Sequence, residues 1–371
     1  MKSALALALA IAAGCSSSSA QSLPHVPAGF TIERIANISA ARELAFAPNG
    51  DLFAGTMGAD VFIVPNAEGK PDPPRVFASV DSAPAAGVAL ANDKLYIGAQ
   101  FAVYEVDYRT GDRHARKAPR RIASVRTSGV SSDHVTTSVT VAAGKLYASI
   151  GSSCNVCDPE VDNTRATIQR IENGKLIAQA VHIRNAIALT ANPDTQTLWA
   201  GVAGQDELSQ GHPYEIFDAV TARRDVSDYG WPYCYENRRP IGGHSCDRVV
   251  VPRVVFPAYV TPIGAAFYPV FMQGSHAFPA RYRGGAFVTV HGSWHRPLQP
   301  PAVLFIPMHG DGPQHAVNWN DPSAQSREFV GGYQDAAGNR SGRPTGVAVG
   351  PRGDLFVADD QSGNIYRIRV K

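Results

Sequence analysis

One pattern recurs along the chain. A short apolar segment of strand length is followed by a polar turn, then by a second apolar segment ending in small residues. The copies are Leu44–Gly55, Gly87–Gly98, Ser138–Ser149, Ile187–Gly201 and Gly346–Ala358, with a stretched copy formed by Gly264–Tyr268 and Gly285–His291. A third apolar segment follows most copies: Asp60–Val64, Ala102–Val106, Thr167–Ile171, Ala302–Ile306 and Asn364–Ile368. Repeats of roughly 40–50 residues, each built of several short strands, predict a β-propeller. A single blade cannot bury both its faces, so blades must stack around an axis. Six copies predict an all-β, six-bladed β-propeller over residues 22–371. Phe30–Ile35 has no copy of its own before it. It is expected to supply the outer strand of the last blade and close the ring. A β-sandwich would leave the repeated unit unexplained. No sustained 3.6-residue apolar period occurs, so helices should be short and confined to loops.

The first 21 residues stand outside this pattern. Met1-Lys2 is a basic start, and Ala4–Ala13 is an apolar run of signal-peptide length, too short to cross a bilayer. Ile11-Ala-Ala-Gly-Cys15 resembles a bacterial lipobox, with Cys15 as the acylated residue. Cleavage after Ser18-Ser-Ala20 by the ordinary signal peptidase is the alternative. Either route predicts an exported, periplasmic protein, with membrane attachment only through a lipid at Cys15. The chain has five cysteines. Setting Cys15 aside leaves an even number, as an oxidising compartment favours. The local pairing Cys154–Cys157 and Cys234–Cys246 is the expectation among three connectivities. Asp158 stands where a c-type haem would need His, and the second pair is too widely spaced for a zinc ribbon.

Composition narrows the function. Across 371 residues, 34 Lys and Arg stand against 32 Asp and Glu, with 44% hydrophobic residues. That excludes a disordered chain and argues against a nucleic-acid binder. There is no Gly-x-Gly-x-x-Gly, no phosphate-binding loop, no His-Glu-x-x-His and no Gly-x-Ser-x-Gly elbow. Function on a propeller is sought at strand ends near the axis. Several polar residues stand there: Arg42, Asp133-His134, Arg184-Asn185, Asp206-Glu207, His291 to Arg296, and Arg343. Arginines converging on one cavity suit an anionic ligand, and a histidine among them suits a general base.

At these residues the chain resembles the glucose/sorbosone dehydrogenase family, six-bladed propellers that use pyrroloquinoline quinone (PQQ) and Ca²⁺. It is closer to the sorbosone/pyranose dehydrogenase-like branch than to the soluble glucose dehydrogenase. The resemblance runs from about Gly29 to Lys371. Its most specific stretches are Gly151–Cys157, Tyr229–Tyr233, Phe278–Phe287, His291–Arg296 and Gly342–Gly346. It implies roles position by position. His134 would be the general base. Arg184 would stabilise negative charge developing on the quinone oxygen. Asn185 would help hold the cofactor, and Arg42, Arg296 and Arg343 would bind its carboxylates. Ca²⁺ would be held by carbonyls around Gly204-Gln205, with Asp206 close by. The chain departs from the pattern at Ala203-Gly-Gln205, where the branch commonly reads Asn-Glu-Arg. It departs again at His295 and Ala86, both in places where Asn is common, and at Ser152, near the place of an Asp.

The resulting expectation is oxidation of a sugar or related polyol or aldehyde. Hydride goes to PQQ, and electrons leave to an external acceptor. Two rivals stand beside it: a non-catalytic exported propeller that binds a partner or glycan, and a Ca²⁺-dependent lactonase.

Overall fold

The computed structural model describes residues 22–126, 133–223, 225–293 and 298–371. The leader with Cys15, together with His295 and Arg296, lies outside the described residues.

Six sheets, each of four antiparallel strands in its main part, follow one another along the chain. Blade 1 comprises Ala41–Phe46, Leu52–Thr56, Asp60–Val64 and Arg75–Ser79. Blade 2 comprises Gly87–Ala91, Lys94–Gly98, Ala102–Asp107 and Arg120–Ser124. Blade 3 comprises Thr137–Ala142, Lys145–Ile150, Thr167–Glu172 and Lys175–Val181. Blade 4 holds Asn185–Ala191, Leu198–Ala203, Glu215–Ala219 and Val254–Phe256. Blade 5 holds Pro262–Phe267, Ala286–Val290, Ala302–Ile306 and Arg327–Val330. Blade 6 takes Pro344–Val349, Leu355–Asp359 and Asn364–Val370 from the C-terminus and Phe30–Asn37 from the N-terminus. The protein is therefore the expected six-bladed propeller, closed by its first strand. The helices among the described residues are two single 3₁₀ turns, Val220–Ala222 and Ala280–Tyr282.

Closure is both hydrogen-bonded and packed. Phe30–Asn37 pairs antiparallel with Asn364–Val370 from Phe30↔Val370 to Asn37↔Asn364. Phe30 then inserts its ring among blade-5 aromatics, 4.7 Å from Phe278 and 5.1 Å from Phe329, edge to face, an arrangement the ring quadrupoles favour. Phe278, Tyr282 and Phe287 are all buried there, so the Phe278–Phe287 stretch is a packing motif.

The first strand of every blade lines the axis. Small residues let neighbouring blades approach. A Cβ on Gly346 would lie 2.2 Å from the Arg42 carbonyl oxygen of the next blade. Strand polarity then separates two ends of the pore. At one end the inner strands begin, and near it lie the turns leaving each second strand. The other end opens into a cavity of about 650 Å³, lined by the later halves of the inner strands. Among the described residues, Glu43 alone is an ionisable side chain lining that cavity, and burial pushes it up to about 8.

Candidate active site at the pore mouth

At the end where inner strands start, Arg42, Glu43, Ala86, Thr136, Ile187, Ile263, Thr345 and Gly346 close the pore to a narrow neck. Each blade contributes to this ring. His134 precedes the ring residue Thr136, Arg184 and Asn185 precede Ile187, and Arg343 precedes Thr345. The scattered sequence positions therefore meet at one mouth, in two clusters.

The first cluster spans blades 3 and 4. His134 has a left-handed backbone (φ 47°). Arg126 holds it there by donating to the His134 carbonyl at 2.8 Å and to the Thr136 carbonyl at 2.6 Å. Such a conformation persists only where its surroundings enforce it. His134 Nδ1 lies 2.9 Å from the Ser152 carbonyl oxygen and 3.1 Å from Ser152 Oγ. The hydroxyl proton of Ser152 is committed to the Cys154 carbonyl at 2.8 Å. Nδ1 must therefore carry the ring proton, because a carbonyl only accepts. Nε2 is left as a lone-pair acceptor with no protein partner among the described residues. Burial, then the neighbouring Arg184 charge, pushes the imidazole down to about 4, so it stays neutral and basic at neutral pH.

Arg184 is buried and fully engaged. Nη1 donates to the carbonyls of Gly204 (2.6 Å) and Ala203 (3.3 Å). Nε donates to the Asn155 carbonyl at 3.2 Å, while Nη2 reaches Asn155 Oδ1 at 3.0 Å and Asp206 Oδ2 at 3.2 Å. Burial lowers its pKa despite the nearby Asp206 and Glu215 carboxyls. Asn185 begins the inner strand of blade 4. A Cβ on Gly151 would lie 2.5 Å from His134 Cβ and 2.7 Å from Asn185 Oδ1. Only glycine lets those two side chains come so near each other. The Gly204–Asp206 loop is fixed from beneath by the buried Glu215, which accepts the Gly204 N–H at 2.9 Å and the Tyr259 N–H at 3.2 Å.

The second cluster spans blades 1, 5 and 6. Asp360 accepts from Arg42 Nη1 at 2.9 Å through one oxygen and pairs with His291 Nε2 at 3.0 Å through the other. Burial would raise its pKa, but the His291 hydrogen bond and the Arg42 and Arg343 charges hold it below the usual carboxylate range. Burial pushes His291 down to about 4 in spite of Asp360, so the pair is a neutral imidazole donating to a carboxylate. Arg343 donates Nε to the His291 carbonyl (3.1 Å) and Nη2 to the Gly292 carbonyl (3.0 Å). Its own N–H is held by Asp359 at 2.9 Å. Arg42 Nε and Nη2 and Arg343 Nη1 have no acceptor among the described residues, which leaves guanidinium donors for an anion.

Both expected disulfides are present, Cys154–Cys157 and Cys234–Cys246. Among the described residues no group of three or more His, Cys, Asp and Glu side chains is arranged to hold a metal. The oxygen donors of the expected calcium loop are the Gly204 carbonyl and the Asp206 carboxylate, and both face the Arg184 guanidinium. Asp360, Asn155, Arg126 and Glu215 were not singled out from sequence. Asp360 could have been, because it follows a second strand, as Asp206 and His291 do. The others carry no such signal.

Fold and site together define a class: a six-bladed propeller whose pore mouth gathers arginine, histidine and carboxylate groups. A family model described as TrAA12-like matches residues 234–371, and the resemblance read from the sequence fits that match. No curated protein sequence matches the chain significantly. Among solved structures, the Trichoderma reesei carbohydrate-active enzyme of family AA12, in its iodide form, superposes with a TM-score of 0.76. That match has 18% identity and covers 94% of this chain and 98% of the other. The PQQ domain of Coprinopsis cinerea pyranose dehydrogenase, in its holo form, gives 0.78 at 16% identity, over 94% and 97%. The PQQ-bound aldose sugar dehydrogenase of Streptomyces coelicolor gives 0.64 at 16% identity, over 94% and 100%. At these identities the likeness establishes the fold.

Proposed function

We propose that this protein is an exported PQQ-dependent dehydrogenase that oxidises a sugar or related polyol or aldehyde. One observation carries the reading: a neutral imidazole with an unengaged Nε2 sits beside a buried guanidinium, at the same pore mouth as two arginines with spare donors. Solved propellers of the same fold include a PQQ holo domain and a PQQ-bound sugar dehydrogenase.

The residues present fit an anionic quinone. Arg42 Nε and Nη2 and Arg343 Nη1 would take its carboxylates; Asn185, in the cluster with His134, and Arg296 are added on the resemblance alone. PQQ, when bound, supplies the acceptor for the hydride equivalent. His134 Nε2 takes the substrate hydroxyl proton. Its Nδ1–H stays on the Ser152 carbonyl, so the ring is held in the basic tautomer while the proton arrives. Arg184 places a fixed positive charge at the mouth, where negative charge develops, and its bonds to the 203–206 loop remove the cost of reorienting it. Ca²⁺ would be held by carbonyls around Gly204-Gln205 with Asp206 close by, and would supply a Lewis acid, but it would have to compete with Arg184 for the Gly204 carbonyl and the Asp206 carboxylate. Electrons leave to an external acceptor.

The test uses the purified mature chain, titrated with PQQ in the presence and absence of Ca²⁺ and assayed for dye reduction with a panel of sugars. Saturable binding with turnover on at least one sugar is expected. Arg42→Ala and Arg343→Ala should each weaken PQQ binding about 10- to 100-fold, the scale of one charge-assisted hydrogen bond. Failure of the wild-type chain to bind PQQ would instead favour a non-catalytic propeller. Lactone hydrolysis without PQQ would favour the lactonase.

A further inference from the structure

The loop between the second and third strands of blade 3 contains Gly151-Ser-Ser-Cys-Asn-Val-Cys157. The disulfide Cys154–Cys157 closes a ring that contains only Asn155 and Val156. A ring this small restricts the backbone on which Asn155 is presented.

Asn155 makes four bonds, all to blade 4 or the turn that leads into it. Its Oδ1 accepts from Arg184 Nη2 at 3.0 Å and from the Asp206 N–H at 2.8 Å. Its Nδ2 donates to the Asp206 carbonyl at 3.0 Å, and its carbonyl accepts from Arg184 Nε at 3.2 Å. Three residues earlier, the Ser152 carbonyl holds His134. The segment from Ser152 to Asn155 thus sets where the base and the guanidinium lie relative to one another. The work at Asn155 requires an acceptor and a donor on one short side chain. Alanine has neither, and aspartate has no donor.

We propose that Asn155, presented by the Cys154–Cys157 ring, is the positioning residue that locks Arg184 and the 203–206 loop into one unit facing His134. The proposal deepens the role given to Arg184 above and rests on that reading for its catalytic consequence. The positional claim itself can be tested without any cofactor.

The test is solvent exchange of the Arg184 Nη–H protons, one of which the Asn155 side chain accepts, followed by NMR on ¹⁵N-arginine-labelled protein without PQQ. Asn155→Ala should speed exchange at least tenfold, and Cys154→Ser/Cys157→Ser should act in the same direction, both with core amide protection intact. Asn155→Asp, which keeps the Arg184 acceptor, should give a smaller increase. In loaded enzyme Asn155→Ala should lower kcat about tenfold or more with KM for the sugar changed less than threefold. Unchanged Arg184 exchange in folded Asn155→Ala overturns the proposal. Should that variant not fold, wild-type protein with its disulfides reduced decides the matter: faster Arg184 exchange supports the lock, and unchanged exchange overturns it. A chain that binds no quinone still reports on Arg184 through the same measurement, so the two failures are distinguishable.

Discussion

His134 Nδ1 lies 2.9 Å from the carbonyl oxygen of Ser152, and that one contact decides which ring nitrogen can act as a base. The expected consequence is that His134→Ala retains PQQ binding but loses turnover about 10²- to 10⁴-fold, the usual contribution of a positioned general base. Equilibrium titration and single-turnover kinetics check the two halves separately. Retained turnover removes His134 from the role.

The pH dependence follows from buried groups of opposite sign: His134 and His291, both held down to about 4, and Glu43, Glu215 and Glu68, pushed up to about 8, 8 and 7. His134 falls from 6.5 to about 4 in the folded chain. The unfolded chain therefore gains a proton first as pH drops, and stability is lost from about 6.5 down through 4. The base remains deprotonated above about 4, so the acid limb of kcat/KM should fall there. Glu215 rises from 4.5 to about 8 through burial, against the Gly204 hydrogen bond and the Arg184 charge. The folded chain holds that proton, so its stabilisation is full below 4.5 and is lost as pH rises through 8. Glu215→Gln should lessen, without abolishing, the decline in Tm between pH 6.5 and 8, because Glu43 and Glu68 keep their share of it, and should leave the acid-side decline in place. Thermal melts across pH 4 to 9 read both slopes.

Gly151 is required by proximity. A methyl group there would lie 2.5 Å from His134 Cβ and 2.7 Å from Asn185 Oδ1, so one of them must move. Gly151→Ala should lower kcat more than tenfold, with a stability cost of about 1–3 kcal/mol. Steady-state kinetics beside a denaturant melt separates the two. Unchanged kcat would mean that the base tolerates displacement.

The strands were legible because short apolar segments separated by polar turns recur in every blade. Even the stretched fifth copy showed both its strands, Pro262–Phe267 and Ala286–Val290. The closing strand was legible as a leftover, since Phe30–Ile35 had no neighbouring copy to pair with. The packing that secures it was not, because Phe30 meets Phe278 and Phe329 only once the ring is closed. Arg42, His134, Arg184 and Arg343 were legible as polar residues beside strand starts. What each of them touches was not. Asp360 joins Arg42 to His291 across 318 and 69 positions of sequence, and Asn155 reaches Asp206 across 51.

The sequence by itself determined the number of blades, and it pointed to the local disulfide pairs and to Arg42, His134, Arg184 and Arg343 beside the strand starts. These follow from apolar segments, repeat spacing and strand ends, all of them short-range properties of a chain. Only the tertiary structure decided which nitrogen of His134 is free, which carboxylate holds Arg42, and which oxygens already engage Arg184. Hydrogen bonds act over about 3 Å in space, and the ring of blades is what brings distant residues within that distance.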